Sequence, residues 1–157
     1  MANLGADANY AARDGSGHPQ TQAYRLTNAL QIYAGSLVGI VDSSVGYLAL
    51  WADSSGMKFK GLAMRAALGN TSASPIVEAE VNSSGPTIYG QPVTGASTIA
   101  HVGRRVYCST DNLADLTLTP TTNVNAIGAI SRFNTATSFD IQLFSAAEYE
   151  ASLAGVA

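Results

Sequence analysis

Few side chains of this sequence have the types and spacing that catalysis or metal binding requires. The two histidines, His18 and His101, lie far apart, and neither stands at a metal-ligand spacing from Cys108 or an acidic residue. Because His-x-His, His-x-x-x-His and Cys-x-x-Cys pairs are missing as well, the pattern predicts no zinc site. We expect neither a metal nor another cofactor, and we expect His101 to pack in a turn or at the surface.

The possible nucleophiles are equally isolated. Cys108 lies on a predicted strand, which is typical of a buried and inert thiol. The serines form no Gly-x-Ser-x-Gly elbow, and Gly15-Ser16-Gly17 is typical of a flexible tripeptide. Because triads assemble in space, a hydrolase that combines His101 with Asp111 or Asp115 and a serine remains an alternative. We assign no catalytic residue and expect a protein that is not an enzyme.

Two glutamates form the clearest pair of carboxylates in the sequence. Glu78 and Glu80 alternate with Val77, Ala79 and Val81, which predicts a strand with the glutamates on its wetted face. Paired carboxylates can act as acid and base, but no apolar pocket pattern surrounds these two. We therefore interpret them as exposed charges.

The basic residues are too few and too scattered for a nucleic-acid surface. Lys58 and Lys60 share one face of a predicted strand, opposite Phe59, whereas Arg104 and Arg105 point to alternate sides if extended. The net charge is −3, and stacking aromatics are not interleaved with many cations. We expect no nucleic-acid partner.

The composition sets the class of protein. Charged residues make up 12% of the 157 residues, against a usual share of roughly 25%, while 46% are hydrophobic. This combination argues against a disordered chain, and no apolar run approaches the roughly 20 residues of a membrane span. A single cysteine excludes an intrachain disulfide, and the polar N-terminus has no signal pattern, so we expect synthesis in the cytosol and no membrane partner.

The chain is predicted to be all-β, a small β-barrel or β-sandwich with an extended N-terminal arm and a short C-terminal helix. Residues 1–30 have neither strand nor helix periodicity, and they are interpreted as a flexible leader or as an arm that orders against a partner chain. Residues 31–157 form the β domain with its helical tail. Turn-bounded apolar runs predict strands within residues 32–33, 36–41, 47–51, 57–67, 76–81, 87–89, 103–108, 116–119, 126–133 and 138–144.

Two details of the tail are specific. Residues 126–133 and 138–144 predict a closing hairpin in which Phe139, Ile141 and Leu143 share one face. Ser145 and Glu148 have the spacing of a capping box at the start of the helix.

The order of several short motifs resembles small head-decoration, or capsid cement, proteins of tailed bacteriophages. The similar segments are the opening strand and turn at 34–42 and 46–47, an F-x-G-hydrophobic-A step at 59–63, a G-x-x-V-Y-C strand and turn at 102–112, and the strands at 125–130 and 139–144. They cover about two-thirds of the chain, and residues 1–30 match nothing in the family.

The resemblance implies a structural protein that binds the outside of an assembled capsid and stabilises it. The implied partners are the major capsid protein and neighbouring copies, as a dimer or trimer, and the implied location is the virion surface after synthesis in the host cytoplasm. The alternative is a tail, spike or glycan-binding β module. In that case Trp51 and Tyr47, four apart on a strand, would form a sugar platform, although we expect both to pack in the core.

Overall fold

The protein is an all-β domain with one short C-terminal helix, as the sequence predicted. This is seen in a computed structural model, which describes residues 5, 12–13, 21–26, 30–41, 46–69, 77–123 and 125–154. The elements are β1 (Ala12–Arg13), β2 (Thr21–Arg25), β3 (Gln31–Ile32), β4 (Leu37–Val41), β5 (Leu48–Leu50), β6 (Met57–Ala63), β7 (Ala67–Leu68), β8 (Glu78–Asn82), β9 (Thr87–Gln91), β10 (Arg105–Val106), β11 (Gly128–Thr135), β12 (Ser138–Leu143) and α1 (Ala146–Ala154). The turn predicted at residues 42–46 lies, apart from Gly46, outside the described residues.

The strands form two five-stranded antiparallel sheets and one small sheet. The first sheet has the order β1-β9-β12-β11-β10, the second has the order β2-β8-β6-β4-β5, and β3 pairs with β7. Neither five-stranded sheet closes on itself among the described residues. The two sheets share one core, so the arrangement is that of a β-sandwich rather than a closed barrel.

The closing hairpin forms as predicted. β11 and β12 pair along their length, and Phe139, Ile141 and Leu143 of β12 are all fully buried in the shared core. Asp140 lies between them on the other face, where its carboxylate accepts hydrogen bonds from the Gly90 amide and from Asn134. The strict period of 2 therefore identified both the strand and its buried face.

Part of the predicted arm belongs to the sheets. β1 pairs with β9 at the edge of the first sheet, and β2 pairs with β8 at the edge of the second. The side chains of Gln22, Ala23 and Arg25 on β2 are exposed, which is why this strand lacks a pattern of alternate buried apolar residues. The other residues of the predicted arm lie mainly outside the described part, so its boundary at residue 30 stays a prediction.

The prediction of a strand at 116–119 was wrong. Leu116 is buried and Thr117 makes single bridges to Thr94 and Tyr107, but no ladder continues from them. Alternation of apolar and polar residues here reflects one buried side of an irregular segment. The strand predicted at 103–108 is shorter than expected, since only Arg105 and Val106 pair as a strand.

The main core lies between the two sheets and under the helix. The first sheet contributes Ile88, Ile130 and Phe139, and the second contributes Leu37 and Phe59. A second cluster lies on the other face of the second sheet, because successive strand residues point to opposite faces. Its buried members are Leu26, Ile32, Val38, Leu48, Ala63, Ala79 and Val81, and the small sheet covers it.

The helix begins with the predicted capping box. The Ser145 amide donates to the Glu148 carboxylate at 2.7 Å, and the Glu148 amide donates to the Ser145 hydroxyl at 3.1 Å. Tyr149, one turn along, is fully buried and its hydroxyl donates to the Met57 carbonyl oxygen at 3.2 Å. The cap and this contact fix a nine-residue helix that would be marginal by itself.

A β-bulge in β6 depends on Gly61. Val38 of β4 faces Gly61 whereas Gly39 faces Phe59, so Lys60 is the extra residue. Gly61 has φ of +139°, and a Cβ atom there would overlap the carbonyl oxygen of Asn82 on β8. Only glycine satisfies both the backbone angle and the close approach.

We expect Gly61→Ala to reduce the free energy of unfolding by at least about 3 kcal/mol, since it combines backbone strain with an overlap in the centre of a sheet. Urea denaturation followed by tryptophan fluorescence measures the loss. Gly46→Ala is the matched control: Gly46 has φ of +87° but open space around it, so the cost there is about 1–2 kcal/mol. Equal losses in the two variants would contradict this account of the bulge.

Candidate contact surface

An exposed apolar loop is the most unusual surface of the described residues. Ile99 is 72% exposed and Val102 is 41% exposed, and their neighbours in sequence include Ser97, Thr98, Ala100 and His101. Large apolar side chains at this exposure are favourable to bury against a partner. We call residues 97–104 the apolar loop.

Backbone hydrogen bonds hold the apolar loop in one conformation. A 3-10 turn at Ile99–His101 is closed by bonds from the His101 amide to the Thr98 carbonyl and from the Val102 amide to the Ile99 carbonyl, both 3.1 Å. The Gly103 amide donates to the Ile130 carbonyl of β11 at 2.8 Å, which ties the loop to the first sheet. A loop ordered in this way loses little conformational entropy when it binds.

His101 has a structural role in the apolar loop, in the turn where the sequence predicted it. Its Nδ1 atom accepts hydrogen bonds from the backbone amides of Ser97 at 3.2 Å and Thr98 at 3.3 Å. Since Nδ1 is the acceptor, the neutral ring carries its proton on Nε2. The ring thus replaces the Glu or Gln of a usual capping box.

The residues considered for a hydrolase triad have other partners. The Asp111 carboxylate is buried and accepts from the Ser36 hydroxyl at 3.1 Å, and the Asp115 carboxylate accepts from the Thr110 hydroxyl at 2.7 Å. The hydrogen bonds of His101 within the described residues stay inside its own loop. His18 and Ser16 lie outside the described residues, and among the residues described no three His, Cys, Asp or Glu side chains group as metal ligands.

Cys108 is buried, as predicted. Its thiol donates to the carbonyl oxygens of Thr110 at 3.1 Å and Asn112 at 3.2 Å. Burial raises the pKa of the Cys108 thiol from its ordinary value of 9.0 to about 11, and the negative charges of Asp115 and Asp111 add to the rise. The thiolate, which is the reactive form, is therefore scarce at neutral pH.

The charged residues are spread over the surface. Glu78 and Glu80 are both exposed, opposite the buried Ala79 and Val81, as their alternation predicted. Glu80 forms an exposed ion pair with Arg65 at 3.2 Å, a type of pair that contributes little to stability. Lys58 and Lys60 are half-buried, again opposite the buried Phe59, and Lys60 lies 3.9 Å from Glu150.

Arg104 and Arg105 are exposed at the end of the apolar loop. Positive charges at the rim of an apolar surface steer the approach of an acidic partner more than they add affinity. Loop and arginines together form the candidate contact surface, at the β10 edge of the first sheet.

Trp51 and Tyr47 do not form a sugar platform. Trp51 is 1% exposed, and its indole Nε1 donates to the Cys108 carbonyl at 2.7 Å, so the prediction that it packs in the core is confirmed. For Tyr47 the core prediction was wrong, because it is 38% exposed just before β5 begins. A strand of three residues is too short to hold both aromatic rings on one buried face.

The sequence reasoning missed Ile99 and Val102. No strand is predicted between residues 89 and 103, and within this stretch only Gly90 and Gln91 belong to a strand. The sequence does carry an indication of this exposure. An isolated Ile in a stretch of Gly, Ser, Thr and Ala is not part of a strand or helix pattern that would place its side chain in the core.

The chain matches no family model, no curated protein and no solved structure. No helix within the described part of the chain has the length and apolar character to cross a bilayer.

The buried thiol predicts a pH effect on stability. Above pH 9 the unfolded thiol loses its proton while the folded one keeps it until about pH 11, so the free energy of unfolding should fall across this interval. Two pH units correspond to about 2.7 kcal/mol. Urea denaturation at pH 8 to 11 gives the free energy of unfolding of the wild type and of Cys108→Ala. The difference between the two proteins at each pH isolates the thiol, because the tyrosines and lysines titrate in both. A constant difference would contradict the raised pKa.

Proposed function

We propose that this chain is a structural virion protein that binds the outside of an assembled phage capsid and stabilises it. One observation carries the proposal: an ordered loop exposes Ile99 and Val102 on a domain that has few charged residues. The resemblance of the ordered motifs to capsid decoration proteins supports it. In this role the protein is not an enzyme, it lies on the virion surface, and it is made in the host cytoplasm.

The exposed side chains of the apolar loop are of types that favour a permanent contact. Burying an exposed Ile or Val side chain contributes about 1.5–3 kcal/mol, and hydroxyl and methyl neighbours cost less to desolvate than lysine or glutamate would. One such contact is modest, but an assembled shell presents the same surface many times in symmetric positions. Protein that binds the assembled shell and not its free subunits favours assembly by mass action.

Neighbouring copies are the second proposed partner, as a dimer or trimer. The outer strands are β1 and β10 in the first sheet and β2 and β5 in the second. Among the described residues, β1, β2 and β10 each have one side without a strand partner, and such a side can pair with a strand of another chain. In β5, Leu48 already makes a single bridge to Leu26. Residues 1–30 contribute β1 and β2, so this segment would contact either capsid protein or an adjacent copy.

We expect Ile99→Asp to lower occupancy on expanded, decoration-free capsids by at least tenfold, because it places a charge in the contact. Co-sedimentation and electron microscopy measure the occupancy. Leu68→Asp is the matched control: Leu68 is 58% exposed, but it lies on β7 of the small sheet. Full occupancy by Ile99→Asp would exclude the apolar loop as the capsid contact.

Deleting residues 1–20 should weaken capsid binding and leave the β domain folded. The deletion removes β1, which has only two residues, and keeps β2 with its five pairs to β8. Circular dichroism and tryptophan fluorescence report on the fold, and capsid occupancy reports on binding. The role of this segment is wrong if the shortened chain occupies capsids as fully as the whole one.

A further inference from the structure

Three exposed arginines lie around the apolar loop: Arg104, Arg105 and Arg132. Arg104 ends the loop, Arg105 begins β10, and Arg132 lies on β11, against which the 3-10 turn of the loop packs. Arg105 faces Ala129 across the pairing of β10 and β11, and Arg132 is about 10 Å further along β11. None of the three arginines forms an ion pair with another residue in the part of the chain that the structure describes.

A β-bulge in β11 turns Arg132 away from the core. Ile130 is buried, and a period of two would place Arg132 on the same face. Ser131 is an extra residue in the pairing with β12, so Arg132 lies opposite Asp140, on the outer face of the first sheet. Phe133 packs against the core instead. The bulge therefore adds a third positive charge to the surface that carries the apolar loop.

The outer face offers these arginines no available carboxylate. Asp140 is the only acidic residue among its described strands, and it is 4% exposed. Its carboxylate already accepts hydrogen bonds from the Gly90 amide and from Asn134. Exposed side chains nearby, Tyr89 and Gln142, are neutral. The surface is therefore positive in a protein whose net charge is −3.

Three other cations of the described residues have carboxylates beside them. The pairs are Arg65 with Glu80 at 3.2 Å, Lys60 with Glu150 at 3.9 Å, and Arg25 directly opposite Glu78 in the pairing of β2 and β8. The absence of such pairs around the apolar loop is thus a local property. Like charges without a counter-charge repel one another, and carboxylates of a partner would remove this cost.

We propose that the apolar loop and the three arginines bind an acidic protein surface. This inference rests on the proposed function, in which the partner is the capsid protein, and it adds that the capsid site carries carboxylates around an apolar depression. Ile99 and Val102 would be buried at the centre of the contact. The guanidinium groups at the rim would each pair with a carboxylate, which they can contact through two parallel hydrogen bonds.

Two other occupants fit less well. A second copy offers few available carboxylates, because Glu80 and Glu150 are in ion pairs and Glu148 caps the helix. A nucleic acid would meet a chain of net negative charge, and its phosphate backbone has no apolar depression for Ile99 and Val102.

The first experiment needs no capsid. The full-length, isotope-labelled protein is titrated with poly-L-glutamate and followed by two-dimensional NMR. At about 0.1 M salt, where the Debye length is about 10 Å, we expect shifts confined to residues 99–105 and 129–132. At about 1 M salt, where it is about 3 Å, the shifts should disappear. Double-stranded DNA at the same concentration of charges should produce smaller shifts.

The second experiment measures association with immobilised, decoration-free capsids. At about 0.1 M salt, Arg105→Gln/Arg132→Gln should associate about tenfold more slowly than the wild type, because rim charges act mainly on the rate of association. The difference should shrink to less than about twofold at about 1 M salt. Arg25→Gln/Arg65→Gln is the matched control, since it removes two charges from the second sheet and should associate as the wild type does.

The proposal is overturned if poly-L-glutamate shifts no residue of this surface, or if DNA binds there more tightly than poly-L-glutamate. It is also overturned if capsids bind both double variants equally fast at the lower salt, a result that would leave the capsid role intact. Binding of poly-L-glutamate without any binding of capsids would support an acidic partner and exclude the capsid as that partner.

Discussion

The packing of Trp51 is the interaction on which most of the structure depends. Its ring meets Phe59 edge to face at 5.4 Å and Tyr149 at 6.0 Å, and its Nε1 atom donates to the Cys108 carbonyl. The indole therefore joins the end of β5, the centre of β6, the helix and the loop after β10. Each aromatic pair adds about 0.5–1.5 kcal/mol beyond its buried area.

The loop after β10, to which Trp51 is hydrogen-bonded, contains several of the buried polar groups of the domain. Behind the Cys108 carbonyl, the Leu37 amide donates to the Asp111 carbonyl at 2.8 Å, and the Ser36 hydroxyl donates to the Asp111 carboxylate. These bonds satisfy buried polar groups that would otherwise destabilise the sandwich. The Asp53 amide also donates to the Ser109 carbonyl at 3.0 Å, so this loop and the aromatic core are parts of one network.

The sequence predicted the elements whose residues carry a strong local pattern. The β11–β12 hairpin follows from strict alternation, and the helix start follows from Ser145 and Glu148. Other features depend on distant partners, and no local pattern marks them. β1 is a strand only because β9 lies beside it, and the segment around Thr117 resembles a strand but pairs only at single positions, with Thr94 and Tyr107. The apolar loop is an intermediate case. The sequence shows an isolated Ile99 outside any strand or helix pattern, but it does not show that the side chain is exposed.

The two apolar faces of the second sheet are completed at different stages of synthesis. The buried members of the second cluster lie between Leu26 and Val81, whereas the main core extends from Leu37 to Tyr149. A growing chain can bury the face that carries the second cluster once residue 81 has left the ribosome. The opposite face has to wait for the first sheet and the helix, most of whose residues come later in the chain. Long-range pairing of this kind slows folding and leaves apolar surface exposed during translation. The low charge that suits a contact surface also leaves this nascent intermediate with little electrostatic repulsion against its neighbours.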